Sequence, residues 1–228
     1  MSCGYSENML SNALFDSIKD NALDCLSDIV EIGLDAITED DTLKSIPVVS
    51  TAISVFNIGK SIKERYTLKK FAAFLEEIRN GTCNEEKREK YLNKFQENKR
   101  ERNKELEYLL ILIDRYLSTD KAIMLAKLYL AFLDDTINWD EFCTYAETID
   151  RFLPGDFEYL KNGLITQVST DYIPDSLLRL IAYGLMVENE KAIKTPTTLG
   201  EIIIPVAKSK EYKITSFGSK LLRLLCND

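Results

Sequence analysis

At 228 residues the chain can form one large domain, or one medium and one small. Its 45% hydrophobic and 29% charged content suits a protein that buries a core, and excludes a largely disordered one. The formal charge of −8 disfavours attraction of the whole surface to nucleic acid or to an anionic membrane. The chain has no histidine, which excludes Ser-His-Asp and Cys-His catalysis and any metal site that needs imidazole.

The five cysteines (Cys3, Cys25, Cys83, Cys143, Cys226) are scattered and include no Cys-x-x-Cys pair. That pattern is neither a disulfide framework nor a zinc site. The polar, acidic N-terminus does not read as a signal peptide. The expected location is therefore a reducing cytoplasm, with peripheral membrane placement as the variant to consider.

Charge is unevenly spread. Residues 1–41 carry ten acidic side chains against the single Lys19, whereas residues 60–104 carry fourteen Lys/Arg against eight Glu. Such blocks can pair internally, or one can serve a partner.

In chain order, Leu10, Leu14, Ile18, Leu23, Leu26, Ile29, Val30, Leu34 and Ile37 recur at helical spacing. They predict one long or two consecutive acidic amphipathic helices within residues 1–41. Pro47 can open the next helix, because the first turn does not need its missing N–H. Residues 46–59 hold no charge, yet fall short of the roughly 20 needed to cross a bilayer as a helix. With Ile62, Phe71, Phe74, Leu75 and Ile78 they predict a buried central helical hairpin over 46–80, capped by Gly81.

Charged residues 84–98 and apolar-striped residues 100–117 predict two more helices. Asp120 and Asn138 are the expected starts of helices reaching Leu133 and Phe152. Pro154-Gly155-Asp156 is the clearest break, giving a helical domain over 1–153 and a second unit over 154–228. In that second unit the reading is short helices at 156–168 and 174–184 leading into Leu185-Met186-Val187, two strands at 201–207 and 212–214 joined by a turn at 208–210, and a last helix from Thr215 to Leu225. The fold class expected is mainly α, a multi-helix bundle followed by a small winged-helix-like α+β unit.

Two motifs fail on spacing. Gly59-Lys60-Ser61 ends like a phosphate-binding loop, but the glycine needed five residues earlier is Ser54, and the preceding segment is helical. Residues 134–142 resemble half of a calcium loop, yet its first and third ligand positions fall on Leu130 and Phe132. A turn with Asn138 as N-cap explains the same residues. Carboxylate pairs such as Glu147 and Asp150 read as a solvated face, and no catalytic residue, metal ligand or cofactor is expected.

Candidate binding residues are Lys60, Lys63, Arg65, Lys69 and Lys70, beside the apolar run, together with Lys208, Lys210 and Lys213 in the expected wing. The helix placed to read DNA holds Arg179 against Asp175, and residues 155–228 balance nine acids with nine bases. A DNA reader usually presents a basic face, so protein contact ranks above DNA.

The phrases Ile46-Pro-Val-Val, Lys60-Ser-Ile-Lys-Glu-Arg, Lys69-Lys-Phe-Ala-Ala-Phe-Leu, Ala126-Lys-Leu-Tyr-Leu-Ala-Phe-Leu and Ile149-Asp-Arg-Phe resemble a group of uncharacterised bacterial helical proteins of mobile-element and phage-defence regions. The ending, Gly184-Leu185 with Tyr212-Lys-Ile-Thr-Ser-Phe-Gly218, is similar to the terminal unit of abortive-infection proteins of the Abi-alpha type. The resemblance spans about residues 40–228 and supplies no catalytic residue. It implies phage defence or prophage biology. The expectation is thus a non-enzymatic interaction module or regulator with a protein partner, self-assembly being compatible. The alternatives are a membrane-active effector exposing 46–58 and a nucleic-acid-binding regulator using the C-terminal unit.

Overall fold

In the computed structural model the described residues are 3–19, 39, 41–55, 57–163, 165–169, 172–189, 198–199, 202–203 and 209–226. They are mainly helical and divide into two compact units, Met1–Asp150 and Arg151–Asn227.

The first unit begins with α1 (Cys3–Lys19), and the acidic pattern beyond it, residues 20–38, lies outside the described residues. A short α2 (Asp41–Ser45) leads into α3 (Pro47–Ser54), which opens on Pro47 as its sequence predicts. The N-cap of α3, Ile46, has no side chain to offer the first turn. Instead the buried Ser17 hydroxyl of α1 accepts a hydrogen bond from the Val48 N–H at 3.0 Å and donates to Ala13 O at 2.8 Å. One serine thereby satisfies an orphan donor of one helix while lying inside another.

Helix α4 (Ile62–Asn80) starts with a capping box in which Ser61 and Glu64 satisfy each other's backbone. The expected hairpin over 46–80 is two helices with different partners: α3 packs mainly on α1, and α4 mainly on α7 (Thr119–Leu133). Gly81 ends α4 with extended backbone rather than a left-handed cap. Its lack of a side chain is needed because a Cβ there would collide with Leu130 Cδ1 and sit 2.9 Å from Glu77 O.

Helices α5 (Glu85–Glu97) and α6 (Lys99–Arg115) follow the predicted pattern within two residues. Helix α7 begins at Thr119, with its cap two residues before the expected Asp120, because the Ser118 hydroxyl is the cap, accepting from Lys121 N at 3.3 Å. Asn138 caps α8 (Trp139–Arg151) as expected: its Oδ1 accepts from Glu141 N at 2.9 Å, and Glu141 returns the bond to Asn138 N. The calcium-like stretch is thus a turn, with Asp135 at φ 54°. Phe74, Tyr129, Phe142, Phe132 and Trp139 form a chain of ring contacts through the core.

The second unit departs further from its expected layout. Helix α9 (Asp156–Asn162) stops at Gly163, and residues 165–169, expected to continue it, form strand β1 (Ile165–Ser169). β-Branched Ile165, Thr166 and Val168 favour the extended chain once glycine has ended the helix. After α10 (Asp175–Ala182) come β2 (Met186–Asn189), a small ladder of β3 (Thr198–Leu199) with β4 (Ile202–Ile203), β5 (Ser209–Ile214) and α11 (Ser216–Cys226). The sheet order is β1-β5-β2, antiparallel throughout, with Ile165 opposite Lys213 and Met186 opposite Ile214. Ser209 and Lys210 are therefore strand residues and not the expected turn; Lys208 lies outside the described residues. Of the strand expected at 201–207, Ile202 and Ile203 pair with Leu199 and Thr198. Gly184 joins α10 to β2 at φ 74°, a left-handed conformation that glycine adopts without strain.

Candidate functional site

The five predicted cations of residues 60–70 share α4 and its cap, but not one environment. Lys60 and Lys63 are exposed, and Ile62 between them is 69% exposed. Arg65 and Lys69 are half-buried and engaged with other groups. Lys70 is a correction to the expected surface: it is 2% exposed, and its Nζ donates to Asp114 O and to Tyr116 O, each at 2.7 Å. Those carbonyls close the C-terminal end of α6, where a cation meets the negative end of the helix dipole. Helical spacing puts Lys63 and Lys70 on one face, and only packing decides that the second is swallowed. Burial pushes the Lys70 ammonium down to about 8; nearby Asp114 opposes that shift and Lys63 adds to it.

The tripeptide Gly59-Lys60-Ser61 arranges three backbone N–H groups around one oxygen, as an anion-binding loop does. The oxygen belongs to the chain itself. Glu64 Oε2 accepts from Ser61 N and Lys60 N at 2.9 Å each, and from Gly59 N at 3.3 Å. Those backbone bonds, Ser61's foremost, hold the Glu64 carboxyl below its ordinary range.

Beside this end of α4 opens a cleft of about 810 Å³ between α1, α4 and α6. Its apolar walls include Leu10, Leu110, Ile111 and Leu117. Ile111 and Leu117 are 58% and 81% exposed, high values for large apolar side chains. Leu110 and Leu117 belong to the apolar stripe expected over residues 100–117, yet they line the cleft. The signal for a second face was present: Leu109 to Ile113 is an unbroken apolar run, wider than the one stripe a helix buries.

The cleft's charges are largely committed. Arg115 Nη2 meets Glu147 at 2.8 Å and its Nε meets Asp150 at 2.9 Å. Asp114 accepts from the Thr67 hydroxyl at 3.1 Å and lies 3.9 Å from Lys63. Lys70 is held by its two carbonyls. Among the described residues, Tyr66 and Glu107 of the lining make no hydrogen bond or ion pair.

In the second unit Asp156 is fully buried at the start of α9 and grips Arg179 of α10. Nε lies 3.1 and 3.0 Å from the two carboxylate oxygens, and Nη2 lies 2.5 Å from Oδ1. Leu153 N–H adds a bond to Asp156 at 2.9 Å. Burial pushes this carboxyl up, but Arg179 and the Leu153 and Ser176 donors outweigh it, and the net shift is downward. The cation of the helix expected to read DNA is thus a structural tie. Of the expected wing lysines, Lys210 pairs with Glu188 at 2.8 Å and Lys213 is exposed on β5. The 60–70 and wing cations belong to separate units.

Cys83 and Cys143 have thiols pushed up by burial, which leaves less thiolate for reaction. No group of three or more His, Cys, Asp or Glu among the described residues could hold a metal ion. Among the described residues no helix is long and apolar enough to cross a membrane. No protein-family model, curated protein or solved structure matches the chain.

Proposed function

We propose that this chain is a non-enzymatic interaction module that regulates a protein partner in bacterial phage defence or prophage biology, the setting implied by its resemblance to Abi-alpha-type proteins. The observation that carries the binding role is the open end of α4, where Ile62 is 69% exposed between exposed Lys60 and Lys63. An apolar side chain flanked by unburied cations suits a partner surface with acidic residues around an apolar depression. Arg65, Lys69 and Lys70, being partly or wholly packed, contribute to shaping that surface more than to charge.

The membrane-effector alternative is disfavoured. Ile46, Val48, Val49 and Ala52 of the 46–58 run are fully buried, and exposing them would forfeit roughly 6 kcal/mol of apolar burial. A nucleic-acid role has one specific support: the order β1-β5-β2, with a two-stranded ladder between β2 and β5 in sequence, fits a winged-helix reading of residues 154–228. Against it, Arg179 and Lys210 are engaged by carboxylates.

The test is capture of partners from the native host by the tagged chain, with and without phage challenge, in parallel with a Lys60→Gln, Ile62→Ser, Lys63→Gln variant. A stoichiometric protein captured by the native chain and lost by the variant supports the reading. Equal capture by both removes the α4 surface from it, and co-purifying nucleic acid without protein favours the winged-helix alternative.

A further inference from the structure

We infer that the cleft between α1, α4 and α6 is a binding site for a largely apolar, non-anionic small molecule carrying one hydrogen-bond donor. The inference is independent of the partner surface proposed above.

Size is the first argument. About 810 Å³ falls within the range of pockets that enclose small organic ligands, which are concave, mostly apolar and supplied with a few polar groups. The walls are the second. Leu10, Leu110, Ile111 and Leu117 present apolar surface to water, and covering them would recover the hydrophobic free energy that folding leaves unspent here.

The charges decide the ligand class. Arg115 is divided between Glu147 and Asp150, Lys70 between two carbonyls, and Asp114 between Thr67 and Lys63. An anionic ligand would have to compete with these existing partners of Lys63, Lys70 and Arg115, whereas a hydrogen-bond donor would displace nothing. What remains for a ligand is a polar acceptor, the half-buried Glu107 carboxylate, with the Tyr66 hydroxyl on the opposing helix. One donor from the ligand satisfies the carboxylate and leaves the existing pairs intact.

Occupancy has a consequence for the neighbouring surface. Lys63 lines the cleft and also belongs to the exposed end of α4. A ligand seated there touches the helix that carries the partner surface.

The experiment uses the full chain and two fluorescent probes with one skeleton. N-phenyl-1-naphthylamine is neutral with a single N–H, and 8-anilino-1-naphthalenesulfonate adds a negative charge. The expected result is saturable binding of one neutral probe per chain, weaker binding of the sulfonate, and a loss of about tenfold in Ile111→Asp. Glu107→Gln, which retains an acceptor but removes the charge, should weaken the neutral probe about threefold. Ile111 is solvent-exposed on a helix, so its variant should keep the native circular dichroism spectrum and melting temperature. No saturable binding, equal or tighter binding of the sulfonate, or unchanged affinity in a folded Ile111→Asp variant would each overturn the inference.

Discussion

Replacing Lys70 by Met keeps the length of the side chain and removes both its charge and its two bonds to the end of α6. In the unfolded chain the ammonium titrates near its ordinary 10.5, and in the folded protein near 8. Between those values the unfolded chain holds a proton that the folded chain has released. Stability from this group therefore rises with pH across the window, is complete above 10.5, and is absent below 8. From pH 7 to pH 10 the native chain should gain about 2.5 kcal/mol relative to Lys70→Met. The lost hydrogen bonds add a penalty to the variant of about 1–3 kcal/mol that varies little with pH.

The assay is urea unfolding of both proteins at pH 7, 8, 9 and 10, taking the difference at each pH. That subtraction matters because burial also raises Tyr91, Tyr108, Tyr116 and Tyr129, and the Cys83 and Cys143 thiols. Those groups destabilise the fold as pH rises through their ordinary range, the opposite sign, and they are common to both chains. A difference that stays flat from pH 7 to pH 10 would refute the placement of Lys70 as a buried cation.

Asp156→Ala leaves Arg179 without its carboxylate and should loosen the packing of α9 on α10, seen as early exchange of amide protons in α10. Because the Asp156 carboxyl is held low, its contribution is present above the ordinary carboxylate range and is lost on acidification through its folded pKa, so Asp156→Asn should remove part of the acid sensitivity. Gly184→Ala forces a Cβ into φ 74° and should cost about 1–2 kcal/mol, measured by thermal unfolding. Asn138→Ala removes the cap of α8 and should cost about 1 kcal/mol in the same assay.

The legible parts of the fold were those governed by local chemistry. Pro47 acts through its own backbone and Asn138 through a side chain that reaches only its own first turn, so sequence alone locates them. Positions decided by a distant partner were not legible. Lys70 is buried because α6 ends beside it, forty-four residues along the chain from Asp114. Ser118 outcompetes Asp120 as a cap by geometry that the composition of the turn does not specify. β1 carries a helical pattern, because Leu164, Ile165 and Val168 keep helical spacing and Gly163 is the one local sign against it. Of the candidate site, the exposed α4 cations could be named in advance. The cleft could not, since it exists only where three helices fail to fill the space between them.

The bond from Val48 N–H to Ser17 makes the start of α3 depend on α1. An eight-residue helix is far below the length that persists alone in water, and α3 has no capping side chain of its own. Its start is supplied by a residue made thirty-one positions earlier. During synthesis the serine that caps α3 therefore leaves the ribosome before the apolar segment it caps. A circular permutation that moved α1 to the C-terminus would reverse that sequence, leaving residues 46–54 exposed until translation ended and aggregation a competitor to folding.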